Sequence, residues 1–401
     1  MQIETILNDE SVRRDLFPVA AQRIFMAHAG VCPLPKVAVD AMNAFCAHGS
    51  AAAQENAWSN GQVLRARQVA ARLIGAHADE IALLGPTALG LSLVANGMPW
   101  NAGDEVVFYP DDYPSNVYPW MNLTERGVKP ATVSAEKPGL ITWDVVERAL
   151  TPRTRLVSLA SCNFLSGYRI DVGGIGKRLH ERGILFCVDG IQTLGAFPMS
   201  VEHVDFLSAD SHKWLLGPMA AGIVYVKREH HEMLRPSLLG AWNVVSPSFV
   251  AQETICFETS ARRYEPGALN VPGIVGMLAS MELLLDLGIE AIGARLLELR
   301  GELLGRLDGL GFRGILDVSD RSDLSDESDA MCAGPSAIVT VTHPGRDMKA
   351  LFKQLESSGV TASLRQDRAG TMYIRFSPHF YNTLEEVERV VGVIGQKSNG
   401  G

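Results

Sequence analysis

Between about residues 80 and 226, short apolar runs alternate with stretches whose apolar positions recur at helical spacing. The runs occupy 81–84, 105–109, 156–160, 185–188, 206–208 and 222–226. Helical patterns lie between them, for example at 89–97, 143–150 and 174–182. Apolar runs without polar alternation are typical of strands that are covered on both faces. The pattern predicts an α/β fold with a mostly parallel sheet flanked by helices.

The pattern changes after residue 260. A Gly/Pro-punctuated connector at 264–270 leads into a long Leu-rich helical region, followed by an acidic, Ser-rich segment at 317–329 that we expect to be an exposed loop. Further strands are predicted at 337–341 and 372–376, with helices at 347–357 and 383–394. We therefore predict a large domain over 20–260, a small α+β domain over 261–401, and an N-terminal helical arm over 1–19 that packs near the small domain.

Composition narrows the classes of function. The chain has 401 residues, of which 47% are hydrophobic and 20% charged, with a net charge of -9. This acidic balance argues against a general binder of nucleic acid or anionic membranes. No run reaches the roughly 18 apolar residues that a membrane span needs, and the N-terminus lacks the features of a signal peptide. We expect a cytoplasmic protein.

The six cysteines are scattered along the chain without a C-x-x-C pair. A disulfide framework or a zinc site is therefore not expected, and no metal is assigned. In a protein without an export signal, such cysteines are interpreted as reduced thiols.

Lys213 and Asp189 are the first candidates for chemistry. Asp189 ends an apolar run, and Lys213 follows the next run within an apolar segment. A lysine and an acid so placed can hold opposite edges of a pyridoxal phosphate (PLP) ring, with the lysine forming a Schiff base and the acid keeping the ring nitrogen protonated. The alternatives are a turn-forming Asp-Gly pair and a solvated surface lysine.

Other residues could complete such a site. The segment 85–90 follows a strand and opens a helix, so its N–H groups and the Thr87 hydroxyl could bind a phosphate, although Thr is also an ordinary N-cap. Tyr113 could stack on a cofactor ring, or belong to a surface aromatic loop. Gln192 could bond the ring hydroxyl, and His212 could flank the ring or the phosphate.

The substrate carboxylate needs a cation. Arg375 lies inside an apolar strand, where a buried guanidinium would need an anion, whereas strand alternation alone favours solvent. Arg365 and Arg368 are competitors. His28 could form a wall of the substrate pocket, with packing an equal alternative.

Together these residues carry a resemblance. Asp189-Gly190-Ile191-Gln192, followed by Asp210-Ser211-His212-Lys213-Trp214, resembles the PLP signature of class V aminotransferases of fold type I. Further matching pieces follow in order, at 27–30, 113–120, 163, 263–267 and 375–377. The group includes cysteine desulfurases, selenocysteine lyases, kynureninases and isopenicillin N epimerase-like proteins. It implies the aspartate aminotransferase-like fold, with a seven-stranded mostly parallel sheet and a small C-terminal domain.

The resemblance also implies roles for individual residues. Lys213 would be the Schiff-base lysine and proton shuttle, and Arg375, Asn163 and His28 would face the substrate. The residues implied at the cofactor are Thr87, Ala88, Tyr113, Asn163, Asp189, Gln192, Asp210, His212 and Lys213. Asp210 stands where a phosphate-binding Ser is usual, so it is expected to face elsewhere. The family is usually a homodimer, with active sites at the subunit interface.

One departure bears on the reaction. Desulfurases carry a persulfide-forming cysteine shortly before the carboxylate arginine, whereas 360–374 contains no cysteine, and Cys332 is the nearest one before it. Gly240-Ala241-Trp242 is similar to the epimerase-like branch. We therefore expect a PLP enzyme that acts at Cα of an amino acid by amino-group transfer. The alternatives are a C–S or C–Se lyase or desulfurase-like elimination without a protein persulfide, an epimerase, or a non-catalytic binding protein.

Overall fold

The computed structural model describes residues 2–316 and 333–396. The acidic segment 317–329 and Cys332 lie outside these residues. The strands are β1 (Ile24–Phe25), β2 (Ile81–Ala82), β3 (Glu105–Phe108), β4 (Lys129–Thr132), β5 (Thr154–Ala160), β6 (Tyr168–Arg169), β7 (Leu185–Asp189), β8 (Phe206–Asp210), β9 (Gly222–Val226), β10 (Arg313–Gly314), β11 (Gly334–Pro335), β12 (Val339–Thr342), β13 (Val360–Thr361), β14 (Ser363–Gln366) and β15 (Met372–Phe376).

Helices separate most of these strands. They are α1 (Ile3–Asn8), α2 (Glu10–Leu16), α3 (Lys36–Ala51), α4 (Asn60–Ile74), α5 (Thr87–Gly97), α6 (Tyr118–Met121), α7 (Trp143–Glu147), α8 (Val172–His180), α9 (Val271–Leu287), α10 (Ile289–Asp308), α11 (Met348–Ser357) and α12 (Leu384–Gly395). No helix among the described residues is both long enough and apolar enough to cross a membrane.

The central sheet has seven strands in the order β2-β9-β8-β7-β5-β3-β4. The pairs from β8 through to β4 are parallel, and β9 runs antiparallel to both of its neighbours. Every residue of β8 and β9 is buried, as expected for strands that helices cover on both faces. The predicted α/β fold with a seven-stranded, mostly parallel sheet is confirmed.

The parallel strands place acidic and basic side chains at one edge of this sheet. Asp189 is the last residue of β7, Asp210 is the last residue of β8, and Lys213 follows three positions later. Helix α5 begins at Thr87, shortly after the edge strand β2. Ligands of open α/β sheets bind at the carboxyl ends of the strands. The topology thus gathers residues at this edge that are far apart in the sequence.

A second sheet of four strands follows, in the order β10-β12-β15-β14. One of its faces buries Ile374 and Phe376 in an apolar core that also includes residues of α10, α11 and α12. The short strand β1 pairs with β13, so residues near the N-terminus join this part of the molecule. The opposite face of β15 turns towards the central sheet and carries Arg375.

The N-terminal arm packs on the segment that precedes α12. The Phe17 ring stacks on Tyr381 with 4.0 Å between centroids, and Arg13 forms a buried ion pair of 2.9 Å with Glu386. These contacts place the arm beside C-terminal residues. The division into domains at residue 260 stays a prediction.

Candidate active site

A cavity of about 330 Å³ opens at the carboxyl edge of the central sheet. It brings together residues from both sheets and from the loops between them. Among the predicted site residues, those that line it are Thr87, Ala88, Tyr113, Asp189, Gln192, His212, Lys213 and Arg375.

Lys213 has the environment of a nucleophilic amine. Its side chain is buried, and Nζ lies 5.5 Å from the centroid of the Tyr113 ring. Burial lowers the pKa of Lys213 to about 8, an effect that Asp189 opposes and Arg375 reinforces. A lysine with a lowered pKa is partly unprotonated near neutral pH, as an amine must be to attack a carbonyl carbon.

Asp189 supplies a buried carboxylate across the same cavity. Its Oδ1 accepts a 3.0 Å hydrogen bond from the Ile191 N–H group. Burial raises the pKa of Asp189, while that hydrogen bond and the positive charge of Lys213 lower it in part. A carboxylate in this position is suited to pair with a cationic ring nitrogen.

The start of α5 provides an anion-binding corner. Thr87 and Ala88 are the first residues of the helix, and the first N–H groups of a helix have no acceptors within it. His212 lies beside them in the wall of the cavity. The Thr87 hydroxyl oxygen accepts a 2.9 Å hydrogen bond from the Asp210 N–H group, which ties the start of the helix to the end of β8.

Asp210 turns away from the cavity. Its two oxygens accept hydrogen bonds from the N–H groups of Ser211 (2.7 Å) and Ala220 (3.0 Å). Oδ2 also lies 3.2 Å from Nδ1 of His212. Asp210 therefore shapes the loop around the lysine and lies beside His212 without a hydrogen bond to its Nδ1, and it does not line the cavity. Facing elsewhere is what its charge demands, because a carboxylate beside a phosphate is repulsive.

Gln192 braces the floor of the cavity. Its side-chain nitrogen donates to the Ala29 carbonyl oxygen at 3.1 Å, and its side-chain oxygen accepts from the Trp214 indole N–H at 2.8 Å. Trp214 directly follows Lys213 and is completely buried. Gln192 thus holds the indole ring of the residue that follows the lysine, in addition to lining the cavity.

Arg375 is buried with unsatisfied hydrogen-bonding capacity. Nη1 donates to the Phe164 carbonyl oxygen, whereas the buried Nε and Nη2 have no hydrogen-bond partner. Burial, together with the charge of Arg365, lowers the pKa of Arg375 to about 9. An unpaired buried guanidinium is costly, so these nitrogens favour an anion in the cavity.

The structure places two other predicted residues outside this cavity. Asn163 lines a neighbouring cavity, and its side-chain oxygen accepts from the N–H groups of Leu165 (3.1 Å) and Ser166 (2.9 Å). It shapes the turn that presents the Phe164 carbonyl to Arg375. An Asn side chain commonly accepts hydrogen bonds from backbone N–H groups two or three residues ahead, so the Asn163 side chain stays within its own turn.

His28 lies in a buried cluster behind the cavity wall. Nδ1 is 2.9 Å from the Ser377 carbonyl oxygen, so it carries the proton, and Nε2 accepts from the Tyr381 hydroxyl at 2.7 Å. Burial, and then the nearby His379, lower the pKa of His28 and keep it neutral. His28 supports the wall that Ala29 and Gly30 form, and does not itself line it.

Asp112 lines the cavity and was not predicted. It accepts hydrogen bonds from the Tyr113 N–H at 2.7 Å and from the Asn116 side chain at 3.1 Å. Burial, and then the charge of Asp189, raise the pKa of Asp112 to about 7. Its position directly before the predicted stacking residue was the available signal. Asp112 holds the loop that presents the Tyr113 ring.

These residues fit the predicted cofactor. Lys213 offers an amine for its aldehyde, Asp189 an acid for its ring nitrogen, Tyr113 an aromatic face, and α5 with His212 an anion-binding corner. The buried, unpartnered nitrogens of Arg375 remain for a substrate carboxylate.

Comparison with known sequences finds a matching family and similar proteins. The family described as Aminotransferase class-V matches residues 24–390. A probable cysteine desulfurase of Methanothermobacter thermautotrophicus is 28% identical over 409 residues, covering 95% of this chain and 96% of the relative.

Solved structures share the fold. The apo structure of a cysteine desulfurase from Thermococcus onnurineus NA1 superposes with a TM-score of 0.84 at 23% identity, covering 96% of each chain. The complex of the cystine C-S lyase C-DES with its reaction product cysteine persulfide gives a TM-score of 0.80 at 21% identity, covering 94% of this chain and 98% of the other.

Proposed function

The chain belongs to the class V aminotransferase family and is a PLP-dependent enzyme, and on this premise we propose that it transfers the amino group of an amino acid. The observation that carries the proposal is the meeting of Lys213, Asp189 and Arg375 in one cavity. Bound PLP would act as an electron sink that weakens the bonds at Cα of the amino acid.

Each of these side chains has a distinct task in the proposal. The lysine amine anchors the cofactor and then moves a proton at Cα, a role that its lowered pKa suits. Asp189 holds a proton on the ring nitrogen. Arg375 binds the α-carboxylate through the nitrogens that the protein leaves without partners, which orients Cα towards Lys213.

The two sides of the lysine differ in their exposure to solvent. Trp214 is completely buried next to it, whereas Tyr113 is half exposed and packs edge-on against Phe164 with 5.6 Å between ring centroids.

A second candidate function is elimination at a C–S bond. It is favoured by the names of the relatives, which are a probable cysteine desulfurase and a cystine C-S lyase. Transfer of sulfur to a protein thiol is less well supported here. The segment 360–374 forms β13, β14 and the beginning of β15, and it contains no cysteine. Elimination itself needs no thiol on the protein, so a lyase would release its sulfur product directly.

We also propose that the enzyme is a homodimer with active sites at the subunit interface. Large apolar side chains are exposed in the segment 238–255, among them Leu239, Phe249 and Val250. Exposed apolar patches are typical of protein interfaces. Size-exclusion chromatography with light scattering should give twice the chain mass, and a monomeric mass would contradict this proposal.

The cytoplasm is the location we propose. The described cysteines Cys32, Cys46, Cys162, Cys187 and Cys256 are all free thiols. Unpaired cysteines suit a reducing compartment.

A panel of amino acids tests the reaction. The purified holoenzyme is incubated with each amino acid, with and without a 2-oxo acid acceptor, and the products are identified. Acceptor-dependent formation of a new amino acid supports amino-group transfer. Release of pyruvate and ammonia without an acceptor, together with sulfide from cysteine or with cysteine persulfide from cystine, would assign the lyase reaction instead. Racemisation alone would assign an epimerase, and a protein that turns over no amino acid would contradict the enzyme proposal.

A further inference from the structure

Arg365 and Arg375 share one face of the small sheet. Strands β14 and β15 pair in antiparallel register, with Ser363 opposite Arg375 and Arg365 opposite Tyr373. Paired residues lie on the same face, and so do residues two positions apart on a strand. The two arginines are therefore diagonal neighbours, close enough for long side chains to reach a common point.

That shared face is the one turned towards the cavity. The alternate residues Ile374 and Phe376 are buried in the apolar core on the other side. On the cavity side, Arg375 donates to the Phe164 carbonyl oxygen, and the Thr340 hydroxyl donates to the Leu165 carbonyl oxygen at 2.5 Å. The sheet face thus meets the loop that follows β5, and Arg375 on this face lines the cavity.

The two guanidinium groups converge on Gly30. A β-carbon placed on this glycine would lie 3.8 Å from Nη2 of Arg365 and 3.8 Å from Nη2 of Arg375. Gly30 lines the cavity. Because residue 30 has no side chain, the space between the two cations stays open to a ligand.

Their positive charges have little compensation from the protein. Arg365 is half-buried, and its Nη1 donates to the Leu364 carbonyl oxygen. Within residues 2–316 and 333–396, neither Arg365 nor Arg375 forms an ion pair with a carboxylate. Burial lowers the pKa of both guanidinium groups. Two desolvated cations that face a common space favour an anion with two separated negative charges.

The carboxylates that line the cavity form hydrogen bonds with other groups and do not pair with either arginine. Asp189 accepts from the Ile191 N–H group, and Asp112 accepts from the Tyr113 N–H and the Asn116 side chain. On the same hairpin, Arg368 is paired with Asp111 and donates to the Pro110 carbonyl oxygen at 2.8 Å. Arg368 is thus a neighbouring arginine with its own acid, whereas Arg365 has none.

We propose that Arg365 is a specificity-determining residue, and that the substrate is an amino acid whose side chain ends in a second acidic group. This inference rests on the proposed function, because Arg375 must hold the α-carboxylate for Arg365 to receive the side-chain group. The shared chemistry is a short chain that carries an anion at each end. A carboxylate and a sulfinate would both satisfy it.

Equilibrium binding of unreactive acids tests the assignment without any turnover. Succinate and glutarate carry two carboxylates, and butyrate and pentanoate are the matching monocarboxylates. Titration calorimetry on the holoenzyme should show at least about tenfold tighter binding of the dicarboxylates, as expected for one additional charge-assisted contact. Equal affinity for both kinds of acid would overturn the proposal.

Two variants test whether Arg365 causes the preference for dicarboxylates. Arg365→Met keeps the apolar stem of the side chain and should abolish the preference while leaving monocarboxylate affinity unchanged. Arg368→Ala, on the same hairpin, should keep the full preference. A preference that survives in Arg365→Met would overturn the assignment. Since these acids do not react, a failure of the proposed amino-group transfer in the amino-acid panel would leave this binding result interpretable on its own.

Discussion

The Lys213 Nζ lies 5.5 Å from the centroid of the Tyr113 ring, across the cavity at the carboxyl edge of the central sheet. The two residues come from different loops, the first after β8 and the second after β3. An amine that faces an aromatic ring, with a buried acid alongside, provides both an anchor and a flat surface for a planar cofactor.

Capture of PLP by the apoprotein should depend on pH through Lys213. Burial lowers the pKa of this lysine to about 8. The amine is protonated and unreactive below that pH, so the rate of covalent capture should rise as the pH increases through about 8 and level off above it. Stopped-flow absorbance of apoprotein mixed with PLP measures this rate. A midpoint near 10.5, the ordinary pKa of a lysine, would contradict the assignment.

Loss of the Arg375 guanidinium should weaken substrate binding while the cofactor stays bound. Arg375→Ala removes a charged donor that we assign to the α-carboxylate, at a cost of roughly 1.5–3 kcal/mol. This corresponds to a decrease in kcat/KM of about tenfold to 150-fold. Steady-state kinetics and the visible spectrum of the bound cofactor provide the two measurements.

Arg300→Ala is the matched control for a buried arginine outside the cavity. Arg300 is buried and donates to the Ile338 carbonyl oxygen at 2.7 Å. This variant should lower the melting temperature and leave KM unchanged. A similar increase of KM in both variants would assign the effect of Arg375→Ala to general loss of structure.

Stability should depend on Asp205, which precedes β8 at the edge of the sheet remote from the cavity. Burial alone would raise the pKa of Asp205, but hydrogen bonds from His180 (3.0 Å), His230 (2.6 Å) and the Phe186 N–H (2.7 Å) hold it below the ordinary 3.8. Asp205→Asn should lower the free energy of unfolding at pH 7 by roughly 1.5–3 kcal/mol.

The pH dependence of that loss follows from the sign of the shift. A carboxyl whose pKa is lowered by folding stabilises the native state above its unfolded value, and this contribution disappears as the pH falls through its folded value. The free energy of unfolding of the wild type should therefore exceed that of Asp205→Asn by its largest amount above about pH 4, and by less below that pH. Urea unfolding at several pH values measures it, and a difference that grows towards acid pH would contradict this explanation.

The sequence predicted the sheet and the residues at its carboxyl edge because both depend on local pattern. Apolar runs without alternation indicate buried strands, and the ends of parallel strands meet at one edge, which brings Asp189 and Lys213 together. Arg375 was ambiguous, since strand alternation alone places it in solvent. The second face of β15 meets the loop after β5, and only the packing of the two sheets reveals that contact.

Other positions depended on contacts that no local pattern encodes. Asn163 uses its side chain to close a turn, and His28 is drawn into a buried cluster with Tyr381, more than 350 residues away in the chain. Asp112 lines the cavity because its carboxylate accepts a hydrogen bond from the Tyr113 N–H group, in the loop that presents the Tyr113 ring. The convergence of Arg365 and Arg375 on Gly30 needs the register of β14 against β15, which the sequence does not specify.

Covalent attachment of the cofactor at Lys213 underlies the proposed chemistry, and mass spectrometry can detect it. The holoenzyme is treated with borohydride, which fixes an imine as a stable amine, and is then digested and analysed by peptide mapping. The mass of PLP should appear on the peptide that contains Lys213, and Lys213→Ala should carry no fixed cofactor. Cofactor fixed to a different lysine, or equal labelling of Lys213→Ala, would contradict it.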